Sequence, residues 1–248
     1  MSGSADARPS AGERVRGYAV HLYTASGIVL AALAAAEIFA VRPDPRIVFA
    51  LFAAATVVDA TDGFLARRWQ VKRTAPEIDG RTIDDIVDYI TFTFLPLLLV
   101  WRMEWVPDPA LLWIAPAMIA SLFGFANAGA KDESGGFFRG FPSYWNVVAF
   151  YAGLLHPLLS ALLIVALAAL TVLPVRFIYP TLAPRPWRVP LLLGAFAWLA
   201  LMLAMLPEYP DVAPWLLWLS LSYPLLYTLL SWQLSRRNRR MRSAVHPQ

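Results

Sequence analysis

The chain has 248 residues, 58% of them hydrophobic and only 15% charged, with a mean hydropathy of +0.54; it is too apolar for a soluble domain of this length and reads as a polytopic membrane protein. Cysteine is absent, which excludes disulfides and thiolate metal sites and leaves any metal to oxygen ligands or to the three histidines. The formal net charge is +4, and the basic residues fall in loops and a tail that membrane topology accounts for, so no nucleic-acid partner is expected.

Residues 1–17 are polar and carry Arg8, Arg14 and Arg16, and the apolar run after them has no small-residue cleavage site. This predicts a first span over 18–41 rather than a signal peptide. A Pro-containing turn at 42–46 leads to a second span over 47–65. The third helix is predicted to begin near Thr74-x-x-Glu77, a capping-box pattern with Pro76 suited to a first turn, and to run to about Val100. A fourth covers 109–127. Residues 143–175 form one apolar run of 33 residues, too long for one span, with His156-Pro157 as its natural break. Spans over 189–206 and 213–233 precede a basic tail with Arg236, Arg237, Arg239, Arg240 and Arg242. Disorder is expected in the first 15 and last few residues.

Lys and Arg in short loops collect on the cytoplasmic side. If 143–155 and 157–175 cross separately, eight helices result with both termini inside, and only Arg42, Arg46 and Arg102 of the 21 basic residues lie outside. Merging the two would throw the basic tail outward. The expectation is therefore an all-α protein of eight transmembrane helices with a short fifth: a cytoplasmic segment 1–17, a transmembrane domain 18–233 and a cytoplasmic tail 234–248.

The chemistry is concentrated between Asp59 and Asp88, where the pattern Asp59-x-x-Asp62-Gly63-x-x-Ala66-Arg67 is followed, after twelve residues, by Gly80-x-x-x-Asp84-x-x-x-Asp88. Carboxylates in apolar segments are costly and mark a function whose charge something neutralises. At 100° per residue, Asp59, Asp62, Gly63 and Ala66 share one helix face, and Gly80, Asp84 and Asp88 form a stripe on another. Four acids around one space need a cation, and oxygen-only ligands point to Mg²⁺ or Mn²⁺, two ions being favoured by the ligand count. Gly63, Ala66 and Gly80 are expected to leave backbone open to a bulky ligand, and Arg67 is suited to a phosphate. On the eight-helix topology this array faces the cytoplasm.

These eight positions in 30 residues resemble the signature of the CDP-alcohol phosphotransferase family. The twelve-residue spacer, longer than the family's usual one, resembles the bacterial phosphatidylcholine synthase branch. So do Val20-His21-Leu22-Tyr23-Thr24-Ala25-Ser26-Gly27 and Gly140-Phe141-Pro142-Ser143-Tyr144-Trp145-Asn146. The resemblance implies a six-helix core with two further C-terminal helices, a homodimer in a bacterial inner membrane, and transfer of a phosphatidyl group from CDP-diacylglycerol to choline with release of CMP. It assigns Asp59, Asp62 and Asp84 to metal. Asp88 becomes the general base, which also touches a metal, while Gly63, Ala66, Arg67, Gly80 and Thr24 go to the cytidine diphosphate site.

Choline's fixed positive charge calls for aromatic faces and a carboxylate. Tyr23, Tyr89, Tyr144, Trp145, Phe141 and Glu77 are the candidates. An anionic acceptor would want several cations, and only Lys131 and Arg139 are placed for it. Serine or inositol as acceptor, and a cation transporter using the same acids, are the alternative readings. Asp79 and Asp85 are read as solvated or helix-dipole residues, His21 as a buried hydrogen-bonding residue, and Glu37 as interfacial.

Overall fold

The computed structural model describes residues 8–127, 131–132 and 136–245. The chain divides into two compact units, Met1–Leu95 and Pro96–Gln248.

In the first unit, α1 (Ala11–Ala25) starts ahead of the predicted span at residue 18. The cause is a capping box outside the apolar run: Ser10 Oγ accepts the Glu13 N–H at 3.3 Å, and the Glu13 carboxylate accepts the Ser10 N–H at 2.8 Å. Residues 11–15, expected to be disordered, are therefore helical. After Ser26, whose hydroxyl donates to the Tyr23 carbonyl at 2.6 Å, the chain continues as α2 (Gly27–Ile38). The Asp44 N–H donates to Glu37 Oε1 at 2.8 Å, so Glu37 closes the turn at the end of α2. The next helix, α3 (Pro45–Arg68), is capped by Asp44 and has Pro at its first position, where a missing N–H is harmless.

The spacer corrects one expectation. Thr74 does not open a helix; it ends the short α4 (Val71–Thr74), and its hydroxyl donates to the carbonyls of Trp69 and Gln70. The motif helix α5 (Gly80–Asp88) begins at Asp79, whose carboxylate accepts the Arg81 N–H at 3.1 Å. The spacer residues Val71 and Ala75 are buried with Val20, and Leu65, Ala66 and Trp69 pack on that cluster. Two exposed ion pairs flank it, Arg14–Glu77 at 2.7 Å and Arg73–Glu13 at 2.5 Å. Asp88 runs directly into a π-helical segment, Tyr89–Phe94, where the Leu95 N–H reaches five residues back to the Ile90 carbonyl. Pro96 follows with no N–H to offer the carbonyl four residues back, which breaks the α-register at this place.

The second unit contains most of α6 (Leu95–Arg102), then α7 (Leu111–Ala126), α8 (Trp145–Ala152), α9 (Pro157–Val172), α10 (Arg185–Met205) and α11 (Pro214–Val245). His156 caps α9, its Nδ1 accepting the Leu158 N–H at 3.3 Å, so the break lies where the His-Pro pair predicts it. A small antiparallel sheet, β1 (Lys131–Asp132), β2 (Phe137–Arg139) and β3 (Arg176–Ile178), is an addition to the all-α expectation. It pairs Phe137 with Ile178 and Phe138 with Phe177. Its strands are too short and too distant in sequence to leave a periodic signal. The basic tail prolongs α11 to Val245. Arg236 lies 3.7 Å over the Trp232 ring; the side chains of Arg237, Arg239, Arg240, Arg242 and Lys131 lie outside the described residues.

The chain is thus α-helical and membrane-embedded in character. By length and composition three described helices can cross a bilayer, Ala11–Ile38, Pro45–Arg68 and Arg185–Glu208; Leu111–Ala126 and Pro157–Val172 are shorter apolar helices. The eight residues of α8 rise only about 12 Å, less than half the hydrocarbon thickness, so the fifth predicted crossing is not made by this helix alone.

Candidate active site

Helical spacing brings the motif acids together from two elements of the first unit. Asp59 and Asp62 lie three residues apart on α3, and Asp84 and Asp88 one turn apart on α5. Half-buried carboxylate oxygens of Asp59, Asp84 and Asp88 come within 4.8 Å of one another. Asp62, only 7% exposed, lines the same cleft, as do Thr24 and Gly27 at the junction of α1 and α2, Ala55 and Val58 on α3, and Val87 and Thr91. Three acidic oxygens at such range repel strongly, and this hard, all-oxygen set fits a divalent cation of the Mg²⁺ or Mn²⁺ type.

The residues expected at the nucleotide site divide. Thr24 is buried in the acid cleft, its hydroxyl donating to the Val20 carbonyl at 3.4 Å. Gly63, Ala66, Arg67 and Gly80 are not among the residues that line it. Ala66 packs on the spacer cluster. A Cβ on Gly63 would stand 3.3 Å from Arg67 Nη1, so the exposed guanidinium lies over that glycine. At Gly80 the expectation of open backbone is corrected. A Cβ there would meet His21 Cε1 at 2.8 Å and Nδ1 at 3.0 Å, so the space is filled by an imidazole. His21 is itself 6% exposed, and its Nε2 is buried with no hydrogen-bond partner, contrary to the satisfied role expected of it.

The aromatic candidates also separate. Tyr23 pairs its hydroxyl with Thr61 at 2.7 Å, tying α1 to the motif helix between Asp59 and Asp62. Tyr89 opens the π segment beside Asp88. Glu77 precedes α5 and does not share its stripe; it holds Arg14, and Tyr18 donates to it at 3.2 Å. In the second unit, Trp145 is fully buried with its indole N–H donated to Ser121 Oγ at 2.7 Å, so neither ring face is open to a ligand. Tyr144 is 40% exposed, and Phe141 stands edge-on to Trp145 with centroids 5.4 Å apart.

The carboxyls that lead into the motif helix are shifted downward. The Asp79 carboxyl is held below its ordinary value by the Thr82 hydroxyl and the Arg81 N–H. The Glu77 carboxyl is lowered by its own backbone N–H first and by the Arg14 charge next. Asp79 therefore acts as a helix cap, a more specific role than the solvated or helix-dipole one expected, and Asp85 lies 3.5 Å from Arg81 one turn away.

Sequence reasoning missed Gly27, Ala55, Val58, Val87 and Thr91. The signal was present: each lies one to four residues from Thr24, Asp59, Asp88 or the next turn of the same helix face.

No family profile and no solved structure matches the chain. The phosphatidylcholine synthase of Pseudomonas aeruginosa is 36% identical over 170 residues, 67% of this chain and 70% of that protein. That of Bradyrhizobium diazoefficiens is 36% identical over 198 residues, 78% and 73% of the two chains. That of Rhizobium meliloti is 34% identical over 208 residues, 81% and 83%. With this identity over more than two thirds of each relative, the chain belongs to the bacterial phosphatidylcholine synthase family of membrane phosphatidyltransferases.

Proposed function

We propose that this chain transfers the phosphatidyl group of CDP-diacylglycerol to choline, forming phosphatidylcholine and CMP. The observation that carries the reading is the meeting of Asp59, Asp84 and Asp88 within 4.8 Å, on helices whose motif matches the resemblance. Asp59, Asp62, Asp84 and Asp88 would hold the divalent cations, two in number, Asp88 serving also as the base. A bound cation supplies charge compensation for the pyrophosphate oxygens.

The chain's own groups do the rest. A choline hydroxyl has a pKa far above 7, so one carboxylate must take its proton as the oxygen attacks. Asp88 accepts that proton, the choline oxygen bonds to the β-phosphorus, and the bond from that phosphorus to the oxygen of CMP breaks, the electron pair leaving with CMP. The half-buried cleft limits water as a competing nucleophile. Arg67, on the same helix a turn past Gly63, binds phosphate charge near the cleft. Of the aromatic candidates in the second unit, Tyr144 is 40% exposed, whereas Trp145 is fully buried.

Arg14, Arg16, Arg67, Arg68, Lys72, Arg73 and Arg81, on α1, at the end of α3, in the spacer and on α5, support a cytoplasmic location for the acid cleft in a bacterial inner membrane; a homodimer is what the resemblance implies. The test uses purified full-length protein in detergent with CDP-diacylglycerol, Mn²⁺ and labelled choline, serine, inositol or no acceptor. Choline-dependent formation of CMP and labelled phosphatidylcholine is expected. CMP release without acceptor, or product from serine or inositol alone, overturns the reading.

A further inference from the structure

Among the described residues of the first unit, His21 is the one buried titratable side chain that the proposed chemistry leaves unused. Its ring is 6% exposed, and Nε2 is sealed from solvent with no partner. Buried polar atoms are almost always hydrogen-bonded, and exceptions mark a strain reservoir or a site for something bound. Strain is not the reason here, because the ring rests in a place made for it: Gly80 lacks the Cβ that would stand 2.8 Å from Cε1 and 3.0 Å from Nδ1.

The location selects the ligand. On α1, His21 comes three residues before Thr24; on α5, Gly80 comes four residues before Asp84. Both later residues line the acid cleft. The imidazole is thus one turn from the acids, toward the helix ends that carry Arg14, Glu77 and Asp79. A donor whose pyrophosphate sits at the acids has a lipid end and a nucleoside end. The lipid end must point along the apolar helix bodies, which leaves the charged side, and His21, to the nucleoside.

We infer that His21 Nε2 is the hydrogen-bonding group for the nucleoside part of the donor. Its chemistry suits this: one ring nitrogen offers a lone pair or an N–H to a ribose hydroxyl or to a cytosine edge. The inference rests on the phosphatidyl-transfer reading, and it moves recognition from bare backbone at Gly80 to the side chain that occupies its place.

The experiment titrates CMP, and separately inorganic pyrophosphate, into full-length protein with Mn²⁺, for wild type, His21→Ala and His21→Gln. It adds the KM for each substrate and the melting temperature. We expect His21→Ala to weaken CMP about tenfold, the loss of one hydrogen bond, with the KM for CDP-diacylglycerol rising in parallel. Pyrophosphate affinity and the KM for choline stay within about twofold. His21→Gln recovers part of the CMP affinity and serves if the alanine variant does not fold. CMP affinity unchanged in both variants, or CMP and pyrophosphate weakened alike, overturns the inference and leaves phosphatidyl transfer standing. Wild-type protein that binds no CMP sinks the phosphatidyl-transfer reading itself.

Discussion

The two units treat interior polar groups in opposite ways. In the second, neutral donors and acceptors close on each other: Trp145 on Ser121, Trp198 on Tyr151 at 3.0 Å, Tyr151 on Ser220 at 3.0 Å, and Tyr209 on the Phe150 carbonyl at 3.1 Å. Among the described residues of that unit no acidic cluster forms. In the first unit, three like-charged carboxylates share a cleft, and an imidazole nitrogen is buried with no partner. Hydrogen bonds that saturate one another rigidify a scaffold, whereas like charges gathered in one cleft call for a counter-charge. The difference divides the chain into a supporting part and a working part.

The largest effect should fall on the working part. Asp88→Asn is expected to lower turnover by about 10²–10⁴ with little change in melting temperature, read as CMP release, because only the proton acceptor is lost. Chelation with EDTA should silence the enzyme, and Mn²⁺ or Mg²⁺ should restore it. Activity that survives exhaustive chelation would remove the acids' assigned role and erase the contrast.

The supporting part should respond in stability. Trp145→Ala is expected to cost about 3–5 kcal/mol, seen in thermal unfolding, since a fully buried indole and its bond to Ser121 are lost together. Trp145→Phe should cost far less and leave the choline KM in place. A raised KM with unchanged unfolding would transfer Trp145 to the acceptor site.

Gly80→Ala probes the packing of α5 against α1 inside the first unit. The added methyl meets the His21 ring, so a loss of about 1–3 kcal/mol is expected. His21→Ser in the same chain should recover most of that stability; no recovery would mean that Gly80 keeps space for a ligand instead. The smallest effect belongs to the exposed Arg14–Glu77 pair. Because folding lowers the Glu77 carboxyl, its contribution is present above the ordinary value of about 4.3 and fades as pH falls through the folded value. Arg14→Ala should therefore lower the melting temperature slightly at pH 7 and not at pH 3.

How much of this could be read in advance depended on the range of the interaction. The acid motif and the His156-Pro157 break are local patterns, each contained within a few turns of chain, and spacing alone exposes them. The early start of α1 was also local, but hydropathy overlooks a polar capping box. The filling of Gly80 by His21 was out of reach, because glycine in a helix looks the same whether its missing Cβ makes room for a ligand or for a neighbouring side chain. Tyr144 and Trp145 show the same limit. Adjacent aromatics of one pattern end with one side chain exposed and the other sealed, according to what packs around each.

What the sequence determined by itself was composition, helical class, the carboxylate frame and, through the motif, the family. These follow from residue type and period, which act over neighbours along the chain. Only the tertiary structure decided which acids meet, what occupies the space beside Gly80, where the motif helix begins after the twelve-residue spacer, and that the fifth helix is too short to cross alone. Those outcomes depend on how α1, the spacer and the motif helices pack, and close packing selects one arrangement from many that the same periodicity allows.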